Sequence, residues 1–143
     1  MAFIQIWVHA VFGTKNREPL LAGGIKAKTI AHILDNAKTK NIYIDTIDGY
    51  HDHLHCLISL EADQSIRKIM QLIKGECSNW MNKNAITKTV FEWGDEYFAA
   101  SVSASMVNKV RKYIKNQEEH HSKKTFLQEY NEFIAAYRAE TGL

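Results

Sequence analysis

Apolar side chains fall on alternate positions near the start of this chain. Over residues 3–12, Ile4, Ile6, Val8, Ala10 and Phe12 share one face, which predicts a strand. Gly13 and Pro19 then bound a polar loop. From about residue 25 to 40 the spacing changes, with Ile30, Ile33, Leu34 and Ala37 at helical intervals. Alternation returns in Ile42 and Ile44, up to the turn-prone Asp48-Gly49, and a further strand covers residues 53–60. Ile66, Ile69, Met70, Ile73, Cys77, Trp80 and Met81 step at threes and fours and predict a helix over about 65–82, with Asp63 or Ser65 available as its N-cap. A short strand follows the Trp93-Gly94 punctuation over 97–102. Ser105 can cap a helix through Val107, Val110, Tyr113 and Ile114 to about Glu119. Thr125 with Gln128 forms a capping box for a last helix that turns Phe126, Leu127, Tyr130, Phe133 and Ile134 inward.

The order is strand, helix, strand, strand, helix, strand, then helices. It predicts an α+β domain of the ferredoxin-like kind: a four-stranded antiparallel sheet with helices on one face, the other face free, and C-terminal helices after it. A length of 143 residues with 45% hydrophobic content suits one domain spanning residues 1–143. Such a fold hosts many functions, so function has to be argued from particular residues.

Composition narrows the classes. No apolar run approaches the roughly 20 residues of a membrane span, and Met1-Ala2-Phe3 lacks the basic start of a secretory signal, so the chain reads as cytoplasmic. Cys56 and Cys77 are in no C-x-x-C pair and read as thiols. A net charge of +2 says little alone, yet Arg67, Lys68, Lys74, Lys83 and Lys88 cluster over 66–88, and Lys109, Arg111, Lys112, Lys115, Lys123 and Lys124 over 105–124. These clusters fit a phosphate track or, more simply, two solvated helix faces.

Two spacings carry candidate chemistry. In a strand, positions i and i+2 share a face, so His53 and His55 can reach one metal ion; in a helix, i and i+4 share a face, so Tyr113 and Gln117 can point together. His51 has the same alternation, but it abuts Gly49 with Asp52 between it and His53, so His53 and His55 are the expected ligands. Two imidazoles suit manganese or zinc better than magnesium, and a Gln117 carbonyl would add oxygen character. A phenol with an ordinary pKa near ~10 needs a nearby cation to act as a nucleophile, a part open to Lys109, Arg111, Lys112 or the metal. Each residue alone has a plainer reading: a structural histidine, a core tyrosine, a solvent-facing glutamine.

In sequence order, several segments resemble one family. They are Val11-Phe12-Gly13-Thr14-Lys15-Asn16-Arg17-Glu18-Pro19-Leu20-Leu21, Asp52-His53-Leu54-His55-Cys56-Leu57-Ile58, Ile73-Lys74-Gly75-Glu76, Trp93 ahead of Ser101-Val102-Ser103, and Tyr113-Ile114-Lys115-Asn116-Gln117-Glu118-Glu119-His120-His121. Together they resemble the single-tyrosine transposases of small insertion sequences, HUH endonucleases that include the REP-associated tyrosine transposases. The resemblance implies Tyr113 as nucleophile, His53, His55 and Gln117 around Mg2+ or Mn2+, and cleavage of single-stranded DNA through a 5′-phosphotyrosine. It also implies a homodimer and recognition of a DNA hairpin at the element's ends. Lys15, Arg17, Arg67, Lys68, Lys74, Lys109 and Lys112 are the expected DNA contacts. His120 and His121, close behind the nucleophile, are expected at the surface or on DNA. One departure lies at Trp93-Gly94-Asp95-Glu96-Tyr97, where relatives usually have a glutamine after the tryptophan and a glycine before the tyrosine.

Rival readings fit less well. A two-histidine phosphodiesterase needs two His-x-Ser/Thr motifs, and only His120-His121-Ser122 qualifies. A base-stacking ferredoxin-like module wants exposed aromatics on its central strands, where residues 51–60 have none. A domesticated or inactive relative acting as a nucleic-acid-binding module would keep every one of these motifs.

Overall fold

The computed structural model describes residues 2–121 and 123–141, with the side chains of Phe133 and residues 137–141 outside that description. Its elements are β1 (Ile6–Thr14), α1 (Ile25–Thr39), β2 (Tyr43–Gly49), β3 (His53–Leu60), α2 (Ile66–Lys83), β4 (Trp93–Val102), α3 (Val107–Lys115), α4 (Gln117–His121) and α5 (Phe126–Thr141). The four strands form one sheet in the order β2-β3-β1-β4, with every neighbouring pair antiparallel. This is the ferredoxin-like α+β arrangement. Among the described residues, no helix is long and apolar enough to cross a membrane.

Alternation sorts the central strands onto two faces. Ala10 and Phe12 of β1 and Leu54, Cys56 and Ile58 of β3 pack with Ile33 and Ala37 of α1 and with Met70, Ile73, Cys77 and Met81 of α2 in the main core. Ser65 caps α2 by accepting a hydrogen bond from the Lys68 amide at 3.2 Å. The opposite face is not free, contrary to the sequence expectation. Leu57 packs there with Val107 and Ile114 of α3, and Val11 and Phe98 pack with Phe126 of α5. β3 is therefore buried on both sides from His53 to Ile58.

Several boundaries move for tertiary reasons. β1 begins at Ile6 because its pairing partner on β3 ends at Leu60, which leaves Phe3 88% exposed. It continues to Thr14, where it offers Trp93 a partner across a bulge, so β4 starts four residues before the expected strand and passes through Gly94. Ser105 lies in a short 3-10 turn ahead of α3 and makes no side-chain cap. The expected helix to Glu119 breaks at Asn116 into α3 and α4.

Thr125 and Gln128 do form the capping box. The Thr125 amide donates to Gln128 Oε1 at 2.9 Å and the Gln128 amide to Thr125 Oγ1 at 3.2 Å. Of the residues expected inward on α5, Phe126 is buried and Tyr130 and Ile134 pack beside it, whereas Leu127 is 44% exposed. Phe133 lies outside the described side chains. The start fixed at Phe126 turns Glu129, three residues on, to the same side as Phe126.

Candidate active site

Register decides which side chains face α3, α4 and α5. His55 lies opposite Val11, His53 opposite Gly13, and His9 opposite Leu57, so His9, His53 and His55 share the second face. His53 and His55 are fully buried, and His9 nearly so. Gly13 is small for a reason: a Cβ there would stand 2.4 Å from the Phe126 ring. That gap lets Phe126 stack on His53 with ring centroids 4.3 Å apart and an interplanar angle of 6°.

Glu129 reaches the middle of this nest. Its Oε1 lies 2.9 Å from His55 Nε2, 3.1 Å from His121 Nε2 and 3.3 Å from His53 Nε2. The four residues are buried, with ligand-capable atoms all within 4.8 Å of one another. Gln117, fully buried rather than solvent-facing, places Oε1 at 3.2 Å from His53 Nε2 and donates its amide to the Tyr113 carbonyl at 3.2 Å. His121 is likewise buried, against the surface position expected for it. Sequence reasoning missed Glu129 altogether.

Hydrogen bonding shows what the nest demands. The Nδ1–H of His53 donates to Asp52 Oδ1 at 2.8 Å, and the Nδ1–H of His121 donates to the Lys124 carbonyl at 2.6 Å. Each bond fixes its ring from behind, so that both Nε2 atoms face Glu129 Oε1. Burial pushes His55 down to about 4 and His9 to about 3, so both are neutral near pH 7. Burial opposes charge on Glu129 as well, yet hydrogen bonds from His121, His53 and His55 hold its carboxyl far below the usual range. Three imidazole nitrogens and a carboxylate oxygen converge on one point, within the reach of a single cation. Neutral imidazoles with a carboxylate are a donor set for a divalent transition metal, so these residues fit the ion the sequence implied.

The phenol stands beside this point. Tyr113, on α3, donates its hydroxyl to Glu129 Oε2, and its Oη is 3.4 Å from His120 Nε2. Burial, followed by the hydrogen bond and charge of Glu129, pushes the phenol far above its ordinary range. In this arrangement the phenol is held protonated. Arg111, one candidate for activating it, instead forks onto Asp45 of β2 with both bonds at 2.8 Å, and this pair ties α3 to the sheet. Lys109 and Lys112 are exposed on α3.

The expected DNA contacts divide among several surfaces. Lys15, Arg67 and Lys74 line one groove with Trp93 and Tyr97; there Lys74 donates to the Gly94 carbonyl at 2.7 Å and Lys15 pairs with Glu92 at 2.9 Å. Lys68 lines a different groove between α2 and β2, and Arg17 lies beside Phe126 and Tyr130. His51 is exposed in the turn and stacks on Tyr50.

Comparison with known proteins decides the family, since the model of the IS200-like transposases matches residues 2–117. This chain is an IS200-like transposase by family. The match covers all four strands and ends at Gln117, so His121 and Glu129 lie beyond it. The fold is similar to that of a candidate transposase from Deinococcus radiodurans R1, with a TM-score of 0.65 and 18% identity over 81% of this chain and 93% of that one. It is also similar to a REP-associated tyrosine transposase bound to a REP hairpin, with a TM-score of 0.61 and 17% identity over 85% and 72% of the two chains. A search of curated proteins finds no match.

Proposed function

We propose that this transposase cuts and rejoins single-stranded DNA at hairpin-bearing ends through a covalent link to Tyr113, assisted by Mg2+ or Mn2+ at His53, His55 and Gln117. One observation carries the reading: a phenol shares a single carboxylate with three imidazoles whose ring nitrogens face inward. A divalent cation bound there supplies charge that polarises a phosphodiester and offsets the charge it develops.

The chain's own residues supply the rest. Tyr113 Oη attacks phosphorus, the Oη–P bond forms and the P–O3′ bond breaks. The phenol's proton passes to His120 Nε2, the neighbouring base, and the departing 3′ oxygen takes up one proton, so the products are a 5′-phosphotyrosine and a 3′-hydroxyl. The Arg111–Asp45 pair holds α3 so that Tyr113 faces the histidines of its own chain. One tyrosine makes one covalent link, so exchanging two strand ends takes two copies of the chain, which supports a homodimer. The groove of Lys15, Arg67 and Lys74, with Tyr97 beside it, offers cations and an aromatic ring to a DNA strand.

The test incubates the protein with Mn2+ or Mg2+ and labelled single-stranded hairpin oligonucleotides drawn from the DNA flanking its gene, then seeks a protein–DNA adduct on a denaturing gel. Wild type gives the adduct; Tyr113→Phe, His53→Ala and His55→Ala do not. An adduct in Tyr113→Phe would remove Tyr113 as nucleophile.

A further inference from the structure

Glu129 occupies a place the reaction needs for something else. One of its oxygens lies among the Nε2 atoms of His53, His55 and His121, and the other takes the Tyr113 hydroxyl and lies 3.1 Å from His120 Nε2. A phosphodiester about to be attacked by Tyr113 must make the same two contacts. One of its non-bridging oxygens belongs at the cation site, and its phosphorus belongs within reach of Oη. Two anions cannot share that position.

We propose that Glu129 and His121 are resident ligands of the cation site, and that the Glu129 carboxylate stands in for the scissile phosphate until DNA displaces it. The proposal rests on the function proposed above and extends it to residues beyond the family match. The Glu129 oxygen converges on the same point as the three imidazole nitrogens, so a cation held there would have a carboxylate where the oxygen of a substrate phosphate has to enter. Departure of Glu129 opens that position and uncovers the phenol in one movement. His121 sits on α4, one turn past Gln117, and can stay behind.

The footing of α5 permits this. Among the described residues, its apolar contacts are Phe126 with Val11 and Phe98, backed by Ala100, Tyr130 and Ile134, a smaller cluster than the core beneath the other face. A segment held by few contacts opens locally without unfolding the sheet. Phe126, stacked on His53, would leave with Glu129, so opening α5 also exposes the edge of the histidine nest.

Two measurements test the proposal on full-length, metal-stripped protein. Calorimetric titration with Mn2+ and with Zn2+ compares wild type, Glu129→Gln, Glu129→Ala and His121→Ala, each verified as folded by circular dichroism. Wild type takes up a single ion per chain, and Glu129→Ala and His121→Ala each lose about tenfold or more in affinity. Fluorescence anisotropy at saturating Mn2+ then follows a labelled single-stranded hairpin oligonucleotide, which Glu129→Gln and Glu129→Ala bind about tenfold more tightly than wild type, the expected result of removing a competing anion. Wild-type metal affinity in Glu129→Ala and His121→Ala overturns the ligand assignment. DNA affinity that stays level or falls in both Glu129 variants overturns the stand-in role. If wild type itself binds no ion, or His53→Ala binds as well as wild type, the failure belongs to the metal site of the proposed function instead.

Discussion

His55 Nδ1 lies 2.9 Å from His9 Nε2, and the two rings stack with centroids 5.1 Å apart. With Asp52 on His53 Nδ1, both strand histidines are gripped from behind, which turns both Nε2 atoms toward Glu129. Partners of this sort fix the tautomer and orientation of a metal-binding imidazole, and losing one costs about 10–100-fold in metal affinity. Asp52→Ala and His9→Phe, the second keeping a ring in place, are each expected to weaken Mn2+ binding by that order while far-UV circular dichroism stays unchanged. Unaltered affinity in both, measured by calorimetry, would show that neither partner orients the site.

Arg111 and Asp45 join α3, the helix of Tyr113, to the edge strand β2. The Arg111 guanidinium holds the Asp45 carboxyl below its ordinary value. A carboxyl depressed by folding adds stability that is full above the unfolded value, about pH 4, and is lost as pH falls through the folded value. Arg111→Ala is therefore expected to melt below wild type at pH 7, with the gap narrowing as the pH drops below about 4. A gap that stays constant from pH 7 to pH 3 in thermal melts would remove the ion pair as its cause.

Gly13 is the place where β1 admits α5. A Cβ there meets Phe126 at 2.4 Å and the Asp52 carbonyl at 3.2 Å, so a methyl group must push the ring off His53. Gly13→Ala is expected to cost about 1–3 kcal/mol, the usual range for overpacking, and to speed proteolysis after Lys123 and Lys124. Wild-type cleavage kinetics at those lysines would show that α5 does not depend on this gap.

Arg67 lines the groove that also holds Trp93 and Tyr97. If a single strand runs there, each phosphate contact contributes about 0.7 to the slope of log affinity against log salt. Arg67→Ala is expected to reduce that slope by about 0.7 and to leave Mn2+ affinity as it was. Anisotropy at several salt concentrations reads both slope and affinity, and an unchanged slope would move the DNA path elsewhere.

His53 and His55 were legible because strand alternation is a local rule that needs only the backbone of β3. Tyr113 and Gln117 were legible in the same way from a helical turn, although the helix breaks between them at Asn116. Two signals in the sequence went unread. Tyr113, Gln117 and His121 continue at intervals of four, which places His121 with the site. Glu129 falls among Phe126 and Tyr130 on the apolar stripe of α5, and a carboxylate on such a stripe asks for a partner. The basic residues named as DNA contacts lie on separate surfaces, because which helix faces meet is settled by packing and not by charge.

The order of elements, the two faces of the sheet and the paired imidazoles follow from periodicity, which nearest neighbours along the chain enforce through backbone geometry. Only the tertiary structure decided that α3, α4 and α5 cover the second face, that β1 and β4 extend to meet at Thr14 and Trp93, and that Glu129 closes on the histidines. Those outcomes depend on contacts between residues distant in sequence, among them the space Gly13 leaves for Phe126, and no local pattern records such a fit.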